Sequence, residues 1–420
     1  MTDEVRGPIV PGVRLSRYVA TLDEIRNGQW QHQLSLCNVG VGTLLRPVLD
    51  DILNSESCTF ESIIHYIVYY ELIDLGFLIP VDIDNEEVYL SGVCPLRKTS
   101  SFFGYPFCSF DELPSNTVGV ILGLPSHLGS PVGGAKNGPV LLRKASKRQF
   151  WRSGLIGDAF TLDGQMHPAA KHNWYDLGDI SLHNLGLPDW LNSIELVVKS
   201  IPNSVLPVLI GGDHSFSYAA IKATKEKYNR PLCVIQFDHH LDVDLERVPS
   251  RDERWRMKSI DHSNFVSHLH AVHPDIYFLH IGSHHLQCAG IGKREAAVSY
   301  LRDLGEQVSN TRLLGMSNQD VLAMIPRGYD VYISFDVDVI SVSEIRSTGN
   351  PAPFGLSLTR AVSLLKDIAS KTRVVAFDLM EFGLPDQCID ANVEIEADRL
   401  AFLLAEVIGS LNLLSVEGSV

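Results

Sequence analysis

The chain has 420 residues, 45% of them hydrophobic, which is enough for one large core and a second small one. Fifty acidic residues against 35 basic ones give a formal charge of -15, which argues against nucleic acid or an anionic membrane as partner and suits a cationic ligand. Seven cysteines without paired metal spacing, a polar N-terminus and no apolar run of ~18 residues read as a cytoplasmic protein with reduced thiols and no membrane span.

In chain order, residues 13–20 and 30–36 alternate like two strands joined by an Asn27-Gly28 turn. Residues 43–53 read as a helix. Thr59 opens another, in which Ile63, Ile64, Ile67, Val68 and Leu72 recur at helical spacing until Gly76 ends it. Residues 1–90 are thus expected to form a small α+β, winged-helix-like domain. Residues 91–116, with Pro95, Gly104, Pro106 and Pro114, read as a linker. From 117 to 420, apolar strands alternate with amphipathic segments such as 357–370 and 394–411, the pattern of a parallel α/β sheet with helices on both faces. A charged insertion at 246–260 is placed at the mouth of a site or in a solvated loop.

Three of these apolar runs end in ligand-type side chains. The run 205–215 closes on GGDHS and His214. The run 233–242 closes on DHHLD, with Asp238, His240 and Asp242, and the run 331–338 ends in Asp336 and Asp338. A buried strand that ends this way delivers its polar residues to one rim of a sheet. Carboxylates with imidazoles make a hard to borderline donor set, which suits Mn2+, or alternatively Ni2+, Fe2+ or Co2+, better than a thiolate cage suits them. Four aspartates and two histidines exceed the needs of one tetrahedral ion and match two ions ~3.5 to 4 Å apart. The plainer reading is that such residues cap the helices that follow.

The motifs GGDHS, DHHLD and SFDVD resemble the three metal motifs of the ureohydrolase family of arginases, agmatinases and related guanidino hydrolases. The likeness extends to GLPSHLGSPVGGAKNGP at 123–139 with Arg143, to GNPAPFGLS at 349–357 and to DLMEF at 378–382. It covers residue 118 to the C-terminal helix and implies the three-layer, arginase-like fold. By this resemblance His214, Asp238, Asp242 and Asp336 hold one ion, and Asp238, His240, Asp336 and Asp338 the other. The nucleophile is water acidified between the ions. Asp242 orients it and accepts its proton, Glu381 pairs with the planar guanidinium, and His262 passes a proton to the leaving amine.

Departures from the family pattern bear on the substrate. Position 239 is His where relatives carry Ala, and packing is the expected role. The family's turn after the third motif is replaced by VISVS at 339–343. The stretch 282–287 ends in Gln287 where free-arginine enzymes place an acid for the α-ammonium. Asp244 stands where an asparagine helps bind the α-carboxylate. Asp244 and Gln287 are therefore candidate substrate contacts of changed preference.

Residues 11–82 resemble the PqqD-type domain with which peptide-modifying enzymes grip a leader sequence by strand addition. Together the two resemblances imply a peptide arginase that converts arginine side chains of a precursor peptide to ornithine with release of urea. The alternative is hydrolysis of a small guanidino compound such as agmatine, guanidinobutyrate or guanidine, with the front module serving assembly. A non-catalytic peptide-binding scaffold is a remote third reading. The family also implies a homo-oligomer.

Overall fold

The structure is a computed structural model that describes residues 101–108, 113–148, 159–170, 173–180, 186–247, 259–284, 286–384 and 392–417, together with the backbone of short strands before residue 81. The chain divides into two compact units, Met1–Pro95 with Ser181–Ser193, and Leu96–Ile180 with Ile194–Val420.

The first unit contains β1 (Ile9–Pro11), β2 (Val13–Leu15), β3 (Val19–Thr21), β4 (Gln29–His32), β5 (Asn38–Gly40), β6 (Ser57–Thr59) and β7 (Leu78–Pro80). At the stretches expected to pair, β3 meets β4 in the antiparallel register Val19↔His32 and Thr21↔Trp30. β5 extends this sheet, while β1 pairs with β6 and β2 with β7. The Asn27-Gly28 turn and the body of both expected helices lie outside the described residues, so the winged-helix-like and PqqD-type readings of this region stay expectations.

The second unit is built on β8 (Gly119–Gly123), β9 (Trp174–Asp179), β10 (Leu206–Ile210), β11 (Leu232–Phe237), β12 (Tyr277–Ser283), β13 (Gly305–Ser309), β14 (Asp330–Asp336) and β15 (Val374–Met380). These form one sheet in the order β13-β12-β11-β14-β15-β10-β8-β9, and every neighbouring pair is parallel. Its central strands are near-continuous apolar runs because both faces are covered: every residue of β11 and of β14 is buried.

Helices α1 (Gly138–Arg148), α2 (Phe216–Tyr228), α3 (Phe265–Val272), α4 (Leu358–Lys371) and α5 (Val393–Glu417) supply that cover. α4 packs on α5 and α5 on α1, while α2 packs on α3. The α4 start is set where the sequence predicts it: the Ser357 side chain caps the helix by accepting from the Arg360 N–H, worth about 1 kcal/mol. No helix among the described residues is long and apolar enough to cross a membrane.

Two residues of the expected linker pack into the core of the second unit. Within the expected linker, Phe102 and Phe103 are fully buried in the main core. The Phe102 N–H donates to Asp176 Oδ2 at 2.7 Å, and the Arg143 guanidinium, paired with Asp176 and Asp179, lies 4.1 Å over the Phe102 ring. Proline and serine content masks this role because only a few residues carry the packing.

Candidate metal centre

The carboxyl ends of β10, β15, β14 and β11, adjacent in the sheet, open onto one rim, the usual ligand position of an open parallel sheet. After β10 the chain turns through Gly211 and Gly212 at φ 86° and 81°. A Cβ on Gly211 would meet Pro139 Cδ at 2.4 Å, so only glycine lets the loop bring His214 back over the strand ends. Two non-glycine residues of the rim, Asp242 and Glu381, hold φ of 50° and 65°. Such backbone costs about 1–3 kcal/mol and persists where the surroundings fix it.

The six residues predicted as ligands come together. His214 Nδ1 lies 3.1 Å from Asp238 Oδ2, 3.0 Å from Asp242 Oδ2 and 3.3 Å from Asp336 Oδ2. His240 Nδ1 lies 3.0 Å from Asp338 Oδ2 and 3.5 Å from Asp238 Oδ1. The donor atoms of His214, Asp238 and Asp336, and those of Asp238, His240 and Asp338, each gather within 4.8 Å. Asp238 is common to both groups. All are buried except His240, whose side chain is 33% exposed and marks the side on which the rim opens.

The donor set fits a pair of divalent cations. His214 Nδ1 is buried and makes no hydrogen bond, although three carboxylate oxygens surround it. The other face of the ring explains why. Nε2 lies 2.9 Å from Ser334 Oγ, whose own proton goes to Asp378 Oδ1 at 2.8 Å, with Asp378 Oδ2 accepting from Tyr332 at 2.6 Å. Ser334 then accepts from Nε2–H, which turns Nδ1 toward the carboxylates, where a bound cation would take its lone pair.

With only protein groups to balance them, the acids are strongly perturbed. Burial, opposed by His214 and His240, leaves Asp238 well below the usual carboxylate range. Burial and the Asp238 charge push Asp242 up to about 8 and Asp338 up to about 6. Burial together with Asp338 and Asp238 holds Asp336 well above its ordinary value. Burial works against the His240 imidazolium, yet Asp238 and Asp338 carry it up to about 12. Groups whose protons are held more tightly in the folded state favour folding at low pH and lose that contribution as pH rises through their folded pKa. Metal-depleted protein should therefore lose thermal stability between about pH 5 and 8, while the Mn2+-loaded protein should not. Melting curves across that range check this, and the gap between the two forms should widen with pH.

Glu381 sits at the edge of the cluster, where its Oε1 accepts from the His214 N–H at 2.8 Å. Burial, with Asp213 nearby, raises its pKa to about 8. His262 is held by its N–H to the Gly129 carbonyl at 3.0 Å, and its Nδ1 lies 3.8 Å from Glu381 Oε1. Burial lowers the His262 pKa below its ordinary value.

The two predicted substrate contacts make local hydrogen bonds. Gln287 is exposed, and its amide donates to the His284 carbonyl at 2.5 Å. The Asp244 N–H donates to Ser267 Oγ at 3.0 Å. His239 belongs to neither donor group; its ring packs 3.5 Å, centroid to centroid, from that of His284.

Three participants escaped the sequence reading. Asn350 Nδ2 lies 3.1 Å from His240 Nε2, Asp378 anchors the His214 relay, and the Gln236 amide donates to Asp238 Oδ2 and Asp242 Oδ2. Asn350 and Asp378 stand inside the matched segments 349–357 and 378–382, and Gln236 is the one polar side chain in an otherwise apolar strand.

Fold and site define a class: α/β proteins that gather imidazole and carboxylate donors at the carboxyl rim of a parallel sheet. Residues 118–407 match the model of the Arginase family. The chain belongs to the arginase family of amidinohydrolases. An agmatinase of Pyrococcus horikoshii is 28% identical over 287 residues, which cover 66% of this chain and 89% of the relative. The proclavaminate amidinohydrolase of Streptomyces clavuligerus is 26% identical over 284 residues, 64% of this chain and 82% of that one. A solved structure of that protein superposes with TM-score 0.59 at 22% identity, covering 76% of this chain and 99% of the other. Formimidoylglutamase of Bacillus subtilis superposes with TM-score 0.57 at 19% identity, over 76% of this chain and 96% of that chain. The front hundred residues lie outside the matched family span.

Proposed function

We propose that the protein is a two-metal hydrolase of a small guanidino compound that lacks an amino-acid head group, of the kind its agmatinase relatives are named for. The observation that carries this reading is the position of Glu381. Its carboxylate is fixed by the His214 N–H at the edge of the His and Asp cluster, where it can take a planar guanidinium in a charge-assisted pair. Loss of the acid at the end of 282–287, and Asp244 in place of an asparagine, disfavour free arginine and favour an amine or a bare chain end.

In this reading His214, Asp238, Asp242 and Asp336 hold one ion, and Asp238, His240, Asp336 and Asp338 the other, with Mn2+ as the proposed metal. When bound, the ion pair supplies Lewis acidity and lowers the pKa of the attacking water. Asp242 takes up the proton of the nucleophile at a carboxylate oxygen. Glu381 orients the guanidinium. His262, beside Glu381, delivers a proton to the leaving amine. His262→Asn should lower kcat by about 10²-fold to 10³-fold with little change in KM, measured as urea release. Metal dependence tests the whole reading: agmatine turnover should vanish in chelator and return with Mn2+, saturating near about two ions per chain. Turnover that survives exhaustive chelation would refute it.

A second reading, the peptide arginase, is favoured by one feature. Residues 1–95 form part of a separate unit with paired strands, and a strand edge is a means of holding an extended peptide. An arginine within a peptide likewise has no free ammonium or carboxylate to recognise.

A further inference from the structure

Gln236 lies at the end of β11, and its side chain is fully buried beneath the rim. It faces the same way as Asp238, because side chains two apart on a strand share a face. Its Nε2 donates to Asp238 Oδ2 at 2.7 Å and to Asp242 Oδ2 at 3.2 Å. Those are the two oxygens that lie 3.1 Å and 3.0 Å from His214 Nδ1. One amide therefore ties together the carboxylates that would share an ion with His214. Ionised carboxylates only accept, so the NH2 end must face them, and Oε1 must face away.

Oε1 is buried and makes no hydrogen bond. Directly across the parallel pairing with β12 stands His280, in register with Gln236. The His280 ring is fully buried, stacks on Phe278, and neither of its nitrogens has a hydrogen-bond partner. An imidazole carries at least one N–H in any protonation state, and Oε1 is the acceptor that its cross-strand neighbour offers. A buried donor and a buried acceptor in register on adjacent strands, each otherwise unmet, are each other's available partners.

We propose that Gln236 is a positioning residue of the metal centre: its amide, oriented by His280 on the neighbouring strand, holds Asp238 and Asp242 in the ligating pose and so sets metal affinity. This rests on the two-metal reading above. Gln236 touches neither substrate nor reacting atoms, and it acts through the two aspartates. Outer hydrogen bonds of this sort are worth about 10-fold to 100-fold in metal affinity.

The test is Mn2+ titration of the chelator-stripped full chain by calorimetry, with thermal melting of the stripped protein in parallel. Gln236→Met, close in size and without a donor, should weaken Mn2+ binding ~10-fold to 100-fold without lowering the melting point of the stripped protein. Gln236→His, which restores a donor, should recover affinity to within about threefold of the parent. His280→Phe should weaken binding in the same direction, and the double variant Gln236→Met/His280→Phe should bind no more weakly than Gln236→Met alone. Parent-like affinity in Gln236→Met, or additive losses in the double variant, would overturn the proposal. If Gln236→Met does not fold, Gln236→His decides: a loss beyond about tenfold there overturns it. A parent protein that binds no Mn2+ would instead refute the two-metal reading itself.

Discussion

Asp238→Asn and Asp336→Asn should each remove Mn2+ and activity together, with kcat/KM falling about 10³-fold or more, because the Lewis acidity at stake is worth several kcal/mol. Both carboxylates belong to the gathered donor groups, and Asp238 belongs to both of them. The two variants should part company in the stability of the metal-depleted protein. Asp336 is held well above its ordinary pKa by burial and by Asp338 and Asp238, so an amide there relieves repulsion, and stability at pH 8 should rise or hold. Asp238 lies instead well below its ordinary pKa because His214 and His240 outweigh its burial. Removing it leaves two imidazoles short of a partner, and about 3–5 kcal/mol of stability should go with it. Metal content and denaturant melts of both variants check the pair of outcomes. Retained metal in either variant would contradict the ligand assignment.

Glu381→Gln should leave the metal in place and lower kcat/KM for a guanidino substrate by about 10²-fold to 10³-fold, as expected when a charge-assisted pair becomes a neutral one. Glutamine keeps one acceptor for the His214 N–H, so the loop geometry and its positive φ should survive. The distinguishing result is the combination of full Mn2+ binding with failed turnover. Near-normal turnover would show that the guanidinium is held elsewhere.

The fold of the second unit was legible in the sequence because its strands are uninterrupted apolar runs that break into ligand-type residues at one end. That grammar points to the six His and Asp side chains that the strand ends gather. Neighbour relations between strands were not legible. Gln236 reads as an intruder in an apolar run until β12 places His280 beside it, and Ser334 reads as a spacer until β15 brings Asp378 within 2.8 Å. Asn350 required the chain to fold back after β14, which the bridge between Thr348 and Phe382 achieves. Phe102 and Phe103 were hidden for another reason: two aromatic residues in a segment of prolines and serines make no periodic pattern, yet they complete the core at β9.

The most direct test of the central claim is urea release by the Mn2+-loaded full chain, offered in parallel agmatine, guanidinobutyrate, guanidine, free arginine and an arginine-containing precursor peptide with its leader. The proposed function predicts urea from one of the small guanidino compounds, at a kcat/KM at least about 10²-fold above that for free arginine, as a site built without head-group contacts requires. Urea from the peptide alone, with conversion of its arginine to ornithine, would contradict the small-substrate reading and give residues 1–95 the task of holding the leader.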